Sequence, residues 1–298
     1  MTGAAHAPAD AAAPQDAPVW RGFTRAALDA AYNNGAIVAD SAAMIAGWAE
    51  RSAATRMRPG VTRDLPYGPR PRNRIDIFRT DAAAPPLLVW FHGGYWQRNS
   101  KEVFACLAEG PLALGLDVAM PGYTLAPDAT LTEIIAETTA ALALLRDGGF
   151  ARGPIIVAGW SAGGQIAALA AEQPGVVGCL PVSGIFDVEP CRHNYLQERL
   201  RLTAAEAEAM SPLHRLSRCR VPMLVAWGDS ELPELRRQSR DYAAARSAAG
   251  LPTRTMELRG ANHFSILEQV ARADGVLALA LTGLAAGPHR GPGSLAAG

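Results

Sequence analysis

The chain of 298 residues lacks a long hydrophobic run and an excess of either charge. No stretch approaches the roughly eighteen uninterrupted apolar residues of a membrane span, so no membrane partner is expected. Lys plus Arg and Asp plus Glu both number 28. A chain with balanced charge offers no electrostatic attraction to nucleic acid or to an anionic membrane. We therefore expect the partner to be a small molecule.

Cysteines are few, and their spacing is uninformative for metal binding. Cys106, Cys179, Cys191 and Cys219 stand far apart, with no C-x-x-C pair and no histidine at ligand spacing. This argues against a disulfide framework and against a zinc site, so we expect free thiols, no metal and no cofactor. The first eighteen residues lack the basic start and apolar run of a signal peptide, which favours a cytoplasmic protein.

Length and a hydrophobic content of 49% predict one domain with loose ends. Residues 1–18 and 286–298 are rich in Ala, Gly and Pro and are predicted to be disordered tails around a domain at 19–285. Apolar residues at helical spacing predict two helices within 25–56, packed on the outside of the main body. Turn-forming residues and alternating isoleucines at 61–78 predict antiparallel edge strands.

From there the chain alternates between short apolar runs and helical segments. The runs lie at 86–91, 116–120, 154–158, 177–182, 221–226 and 253–258, and the main helical segments at 101–114, 131–146, 162–172 and 234–249. This alternation predicts the α/β class, with a mostly parallel central sheet covered by helices on both faces. Functional sites in such sheets lie at the carboxyl ends of the strands.

The run at 154–158 leads into Gly159-Trp-Ser-Ala-Gly163 and then directly into an Ala-rich helical segment. This resembles the nucleophile elbow of α/β hydrolases, a tight turn that exposes a serine between strand and helix. A Cβ at either glycine would collide with the neighbouring strand or helix, and Ser161 would take a strained conformation. The same five-residue pattern also arises by chance, so the assignment of Ser161 as nucleophile depends on its partners.

A serine needs a base, and the chain order in this fold is serine, acid, histidine. Most of the six histidines lie in the tails, at the ends of the 189–216 segment or before the elbow. His263 follows the last strand and precedes a helical run, so we predict it as the general base.

Two carboxylates, Asp229 and Glu231, follow the strand that ends near Ala226. In these hydrolases the acid usually stands three residues after the glycine that ends this strand, and here that spacing favours Glu231. Asp229 follows Gly228 directly and is expected to cap the turn. Because either carboxylate can orient an imidazole, both stay candidates.

An oxyanion hole requires N–H groups fixed where negative charge develops. The loop His92-Gly93-Gly94-Tyr95-Trp96 follows a strand directly. We predict that Gly93, Gly94 and Ala162 form the hole, and that His92 anchors the loop. The alternative is a glycine-rich turn without a role.

The segment at about 189–216 breaks the alternation and is mostly helical, with Thr203-Ala-Ala-Glu206 as a capping box. Insertions at this point in α/β hydrolases form a cap, so a small helical cap over the site is expected. A plain connecting helix outside the pocket is the alternative.

These motifs together resemble the hormone-sensitive-lipase-like esterases, and more closely their kynurenine formamidase (arylformamidase) branch. The similarity spans roughly 86–270 and rests on the segments 92–97, 159–163, 182–190, 234–239 and 262–264. It implies an α/β-hydrolase fold, a triad of Ser161, Glu231 and His263, and no metal. Members of the branch hydrolyse N-formyl-L-kynurenine to formate and kynurenine, and they also cleave simple aryl esters. Trp160 departs from the pattern, since many relatives carry His there.

Aromatic residues near the motifs suggest a pocket for an aromatic ring, although such residues are more often plain core. The candidates are Tyr95, Trp96, Trp160 and Phe186. An amino-acid substrate would also need a cation for its carboxylate, for which Arg98, Arg192 and His193 are candidates.

The first expectation is therefore a serine hydrolase that cleaves an aryl formamide through an acyl-enzyme. A carboxylesterase acting on small acyl or aryl esters would use the same residues. A hydrolase fold kept as a non-catalytic binding module is a further alternative. The oligomeric state stays open, with a homodimer among the options.

Overall fold

A computed structural model describes residues 17–287 of the chain. Residues 1–16 and 288–298, which make up most of the two predicted disordered tails, lie outside this range. The short ends of those tails that are described, at 17–18 and 286–287, belong to no helix or strand.

The strands of the described part form one eight-stranded sheet in the order β1-β2-β4-β3-β5-β6-β7-β8. Their bounds are β1 Thr62–Pro66, β2 Arg74–Phe78, β3 Leu87–Phe91, β4 Asp117–Pro121, β5 Ile155–Trp160, β6 Val176–Val182, β7 Met223–Gly228 and β8 Thr253–Leu258. β2 pairs antiparallel with β1 and with β4, and all other neighbours are parallel. The predicted fold class, a mostly parallel α/β-hydrolase sheet with antiparallel edge strands, is confirmed.

Eleven α-helices lie within residues 17–287. Their bounds are α1 Arg25–Ala31, α2 Asn34–Ile37, α3 Ser41–Arg56, α4 Glu109–Ala113, α5 Leu131–Asp147, α6 Ala162–Ala170, α7 Gln197–Leu200, α8 Ala204–Met210, α9 Pro233–Ala248, α10 Glu268–Ala271 and α11 Val276–Ala285. Several 3₁₀ turns join them, including a longer one at Lys101–Ala108 and one at Glu189–His193.

The segment predicted to be helical over 101–114 is helical, but it consists of two parts of different type. The chain forms a 3₁₀ helix at Lys101–Ala108 and changes to the short α4 at Glu109. Pro111 explains the break, because proline has no N–H to donate and its ring clashes with the preceding turn of a continuous α-helix. Proline is tolerated in the first turn of a helix, which is where Pro111 lies in α4.

The central strands β3 and β5 are buried along their whole length. Successive side chains of a strand point to opposite faces, so each strand serves both layers of core. Leu87, Val89 and Phe91 pack into one apolar cluster, whereas Leu88 and Trp90 pack into the other. The carboxyl ends of β3 and β5, which carry the predicted oxyanion loop and elbow, are therefore held from both sides.

The segment before β1 is bound firmly to the domain. The indole Nε1 of Trp48 in α3 donates to Glu268 Oε1 at 2.7 Å, and Ser52 Oγ donates to the carbonyl of Val103 at 2.8 Å. The sequence predicted two helices here on the outside of the body. The structure has three, and α2 and α3 reach the carboxyl edge of the sheet, where they form part of a cavity wall.

All four cysteines lie in the described part, where they are buried and free. Burial raises the pKa of the Cys179 thiol well above its usual range. Across residues 17–287, no helix combines the length and apolar character needed to cross a membrane.

Candidate active site

Ser161 sits between β5 and α6 in a backbone conformation that side-chain-bearing residues rarely adopt, with φ 59° and ψ −121°. The flanking glycines make this turn sterically feasible. A Cβ on Gly159 would lie 2.1 Å from the carbonyl oxygen of Gly163, and one on Gly163 would lie 2.1 Å from that of Phe91. The predicted crowding is therefore present, and the turn lifts Ser161 out of the sheet at the start of α6.

His263 lies in the loop after β8, and its backbone is fixed by local hydrogen bonds. The side-chain oxygen of Asn262 accepts from the N–H groups of Phe264 at 2.9 Å and of Ser265 at 2.8 Å. Trp160 Nε1 donates to the carbonyl of His263 at 2.7 Å, and the two rings are in contact with centroids 4.8 Å apart. The residue beside the serine thus supports the imidazole.

Glu231 contacts the imidazole directly, with its Oε2 3.1 Å from His263 Nδ1. Its other oxygen accepts from Ser183 Oγ and from the N–H of Gly228, both at 2.6 Å. A buried carboxylate at Nδ1 favours the tautomer that carries its proton there, which leaves the lone pair of Nε2 available as a base.

Asp229, the alternative acid, points away from the imidazole. Its Oδ1 accepts from Ser230 Oγ at 2.9 Å and from the N–H of Gly260 at 2.7 Å. These two hydrogen bonds hold the pKa of the Asp229 carboxyl below its usual range. The side chain caps the turn between β7 and the loop after β8, as expected for an aspartate that follows the strand's glycine.

Ser161 and His263 line the same cavity, which has a volume of about 200 Å³. Within the described residues, no hydrogen bond joins Ser161 Oγ to His263 Nε2. Such contacts are often long before a substrate binds and tighten in the reacting complex. The cavity is lined by Asn33, Asn34, Gly35, Ser41, Ala42, Ile45, Gly94, Tyr95, Arg98, Asn99, Trp160, Ser161, Tyr195, His263 and Phe264.

The three predicted oxyanion donors lie around the serine. Ala162 is the first residue of α6, and Gly93 lies against Trp160, whose carbonyl oxygen would be 2.7 Å from a Cβ on that glycine. Gly94 has φ +122°, and Tyr95 and Trp96 after it also have positive φ values of 52° and 58°. In the described part of the chain, no oxygen accepts a hydrogen bond from the N–H of Gly93, Gly94 or Ala162. These donors are available to an anion, as donors at a helix start typically are.

His92 anchors this loop from beneath. Its Nδ1 lies 2.9 Å from the carbonyl of Gly93, and the ring of Tyr123 stacks on it with centroids 4.3 Å apart. Tyr123 Oη also donates to the carbonyl of His92 at 2.8 Å. Burial lowers the pKa of His92 to about 4, so the imidazole is neutral at pH 7.

Of the four aromatic residues predicted to line the pocket, Tyr95 and Trp160 do so. The prediction is wrong for the other two. Trp96 is fully buried and donates from Nε1 to Gln165 at 3.1 Å, while Phe186 stacks on Tyr242 with centroids 4.2 Å apart. Both rings are buried in the same apolar core cluster.

Comparison with known proteins agrees with this geometry. A family model described as alpha/beta hydrolase fold matches residues 88–201. A kynurenine formamidase from Danio rerio is 31% identical over 225 residues, which cover 70% of this chain and 76% of that protein. One from Salmo salar is 29% identical and covers 71% of this chain and 77% of its own length. The chain belongs to the kynurenine formamidase family of α/β hydrolases. The resemblance stated from the sequence is therefore confirmed, and the protein is a hydrolase.

Solved structures place this family member among esterase-like folds. A candidate thioesterase from a Silicibacter species has a TM-score of 0.80 at 28% identity and covers 86% of this chain and 98% of its own. An esterase from Pyrobaculum calidifontis has a TM-score of 0.66 at 17% identity, and the match covers 84% of this chain and 95% of the esterase. The second likeness concerns the fold alone.

Sequence reasoning missed two parts of this formamidase-family site. The segment before β1 supplies Asn33, Asn34 and Gly35 to the cavity wall, and Ser183 holds the far oxygen of Glu231. The polar Asn-Asn-Gly interruption between helices was a usable signal, since irregular polar loops often carry binding residues. Ser183 offered none beyond its position directly after a strand.

The segment at 189–216 contributes one residue, Tyr195, to the cavity. Its backbone N–H donates to Asp29 in α1 at 2.6 Å, so this contribution is tied to the first helix. Helix α8 of the same segment packs against α5 and contributes no residue to the cavity lining. Among the described residues, no group of three His, Cys, Asp or Glu side chains is placed to hold a metal ion.

Proposed function

We propose that this hydrolase cleaves an aryl formamide such as N-formyl-L-kynurenine through a triad of Ser161, His263 and Glu231. The observation that carries the proposal is the 3.1 Å contact between Glu231 Oε2 and His263 Nδ1, with a strained serine in the same cavity. The kynurenine formamidases among its relatives support the choice of substrate.

The proposed reaction proceeds through a formyl-enzyme. His263 Nε2 takes the proton of Ser161 Oγ while the oxygen attacks the formyl carbon. The carbon–nitrogen bond then breaks, and the imidazolium gives its proton to the departing aryl amine. Water attacks the formyl-enzyme in the same way, with its proton going to His263 and then to Ser161 Oγ. Formate leaves and the serine is restored.

The negative charge of each tetrahedral intermediate would be stabilised by the N–H groups of Gly93, Gly94 and Ala162. These donors are fixed before reaction by the crowded loop and by the start of α6, so they need no reorganisation as charge develops. Because His92 beneath them is neutral, the stabilisation would come from the N–H dipoles and not from a charged imidazole. Pre-set donors of this kind favour attack on a carbonyl over other chemistry.

The space beside the proposed oxyanion hole favours a small acyl group. The Trp160 ring lies against Gly93, where a Cβ would be 2.6 Å from its Cε3 atom. Trp160 also lines the cavity beside Ser161, and its indole is held by the carbonyl of His263. A fixed ring beside the nucleophile supports a small acyl group such as formyl.

A carboxylesterase acting on small acyl or aryl esters is the second candidate. It is favoured by esterases of the same fold among the solved structures and by apolar lining from Ile45, Trp160 and Phe264. The two candidates share every proposed catalytic residue, so only turnover distinguishes them.

The test compares kcat/KM for N-formyl-L-kynurenine with that for p-nitrophenyl acetate. Turnover of the formamide is expected, whereas ester turnover alone would reject the formamidase and leave the esterase. A fluorophosphonate is expected to label the enzyme but not Ser161→Ala. Labelling that persists in the variant would remove Ser161 as nucleophile.

A further inference from the structure

Among the described residues, the lining of the cavity beside Ser161 carries a guanidinium and no carboxylate, because Glu231 contacts His263 from behind and does not itself line the cavity. Arg98 lines it, and none of the described lining residues is an aspartate or a glutamate. Burial raises the pKa of Tyr95 and of Tyr195, so neither phenol ionises near neutral pH to offset the guanidinium. A cavity lined by one fixed cation and neutral polar groups attracts an anion.

Arg98 lies in the same loop as Gly93 and Gly94, two of the proposed oxyanion donors. Its backbone N–H donates to the carbonyl of Gly94 at 3.0 Å, and Asn99 Nδ2 donates to the carbonyl of Gly93 at 3.3 Å. Arg72 closes the loop from outside by donating to the carbonyl of Asn99 at 2.6 Å. The origin of the Arg98 side chain is therefore fixed relative to the reacting carbonyl, while its exposed guanidinium can adjust to a ligand.

The other two candidate cations are already neutralised. Arg192 and His193 both contact Glu189, the latter with its Nε2 2.9 Å from the carboxylate, and neither lines the cavity. Arg98, in contrast, has no carboxylate of the described residues within ion-pair distance of its guanidinium. Of the three, it is the one whose charge remains available to a ligand in the cavity.

We propose that Arg98 binds a carboxylate on the leaving-group side of the substrate, so that the enzyme selects aryl acyl compounds that carry an anionic group. This inference rests on the proposed function, in which Ser161 attacks an acyl group held in this cavity. It assigns the amino-acid carboxylate of an N-formylkynurenine-like substrate to a named residue. Planar guanidinium groups suit carboxylates because they donate two parallel hydrogen bonds.

The test uses the purified full chain and substrates that differ by one charge, N-formyl-L-kynurenine and its methyl ester, with deformylation followed from the released aryl amine. Arg98→Gln is expected to lower kcat/KM for the free acid by about five- to thirtyfold, mainly through KM, because exposed charged hydrogen bonds contribute moderately. The ratio of kcat/KM for the free acid to kcat/KM for the methyl ester should fall by the same factor. Arg98→Lys should restore part of it, since the charge is kept.

Arg220→Gln is the matched control, because Arg220 is exposed, lies outside the cavity and carries the same charge. It should keep the wild-type acid-to-ester ratio. An equal loss on both substrates in Arg98→Gln, or no loss on the acid, would overturn the assignment.

A second pair of substrates, 4-acetoxybenzoate and phenyl acetate, separates this inference from the proposed function. If the wild type deformylates nothing, the formamidase proposal fails, and the ester pair then decides the role of Arg98. Loss of the preference for the anionic ester in Arg98→Gln supports the role, and an unchanged preference refutes it.

Discussion

At the scale of single residues, Asp229 and Glu231 follow the same strand, yet their carboxylates have different surroundings. Asp229 is only partly buried and is bonded to the turn that it caps. Glu231 is buried and holds His263 with one oxygen while Ser183 and Gly228 hold the other. The number and direction of these hydrogen bonds, and not acidity alone, equip Glu231 to orient an imidazole.

Replacing each carboxylate by its amide should separate their roles. Glu231→Gln is expected to lower kcat about a thousandfold or more, because an amide N–H₂ facing Nδ1 favours the wrong tautomer of His263. Asp229→Asn should change kcat by less than about threefold, since it loses only turn contacts. The measurement is kcat on p-nitrophenyl acetate, with circular dichroism to verify folding. A larger loss in Asp229→Asn would reverse the assignment.

The sequence favoured Glu231 as the triad acid because residue spacing limits the choice between the two carboxylates. It did not predict the orientation of aromatic rings, because that depends on residues distant in the chain. The three-residue spacing after Gly228 favoured the carboxylate that does contact His263. Nothing near Phe186 in the chain indicates that its ring stacks on Tyr242. Likewise, the positive φ of Trp96 directs its indole to Gln165, and an indole in this conformation has no sequence signature.

At the scale of elements, the strands were predicted well because buried parallel strands are short apolar runs that little else in the chain imitates. β3, β5 and β6 begin and end within two residues of the predicted runs. The helices were harder to predict. Pro111 accounts for the change of helix type near Ala108 but not for the 3₁₀ geometry that begins at Lys101, and the helical spacing before β1 did not show that the chain forms three helices there.

The joint between β5 and α6 provides an element-scale prediction. Gly163→Ala should reduce the free energy of unfolding by about 3 kcal/mol or more, because its Cβ would lie 2.1 Å from the carbonyl oxygen of Phe91, an overlap that backbone must move to relieve. Urea unfolding monitored by fluorescence measures this change.

Gly47→Ala in α3 is the control, since no atom lies within 4 Å of a Cβ built there. It should raise the free energy of unfolding by about 0.5–1 kcal/mol, as alanine does in a helix interior. A Gly163→Ala protein as stable as the wild type would mean that the elbow is less crowded than described.

At the scale of the whole molecule, His92 links folding to pH. Its folded pKa of about 4 lies below the ordinary value of 6.5, because burial disfavours the charged imidazole. As pH falls from 6.5 to 4, the unfolded chain therefore takes up this proton first. The contribution of His92 to stability is complete above pH 6.5 and should decline by about 2 kcal/mol by pH 5.

The measurement is the free energy of unfolding at pH 7 and at pH 5, in the wild type and in His92→Asn. The variant is expected to show the smaller difference between the two values, whatever its absolute stability. Glu102, whose pKa is lowered to about 2 mainly by Lys101 and Ser100 against the effect of burial, loses its contribution only below about pH 4.5. Equal pH differences in the two proteins would show that other groups cause the acid sensitivity.

The cavity wall supplied by Asn33–Gly35 and Ser41–Ile45 precedes the first strand, whereas Ser161, Glu231 and His263 all come from the second half of the chain. The parts that perform the chemistry and part of the surface that admits the substrate are thus encoded in separate stretches of sequence. Substitutions at the wall positions within 33–45 are therefore expected to alter which substrates fit while Ser161, Glu231 and His263 keep their mutual geometry. For an engineer, those few wall positions are a place to change selectivity, provided that the buried residues Leu28, Tyr32 and Trp48 around them are kept.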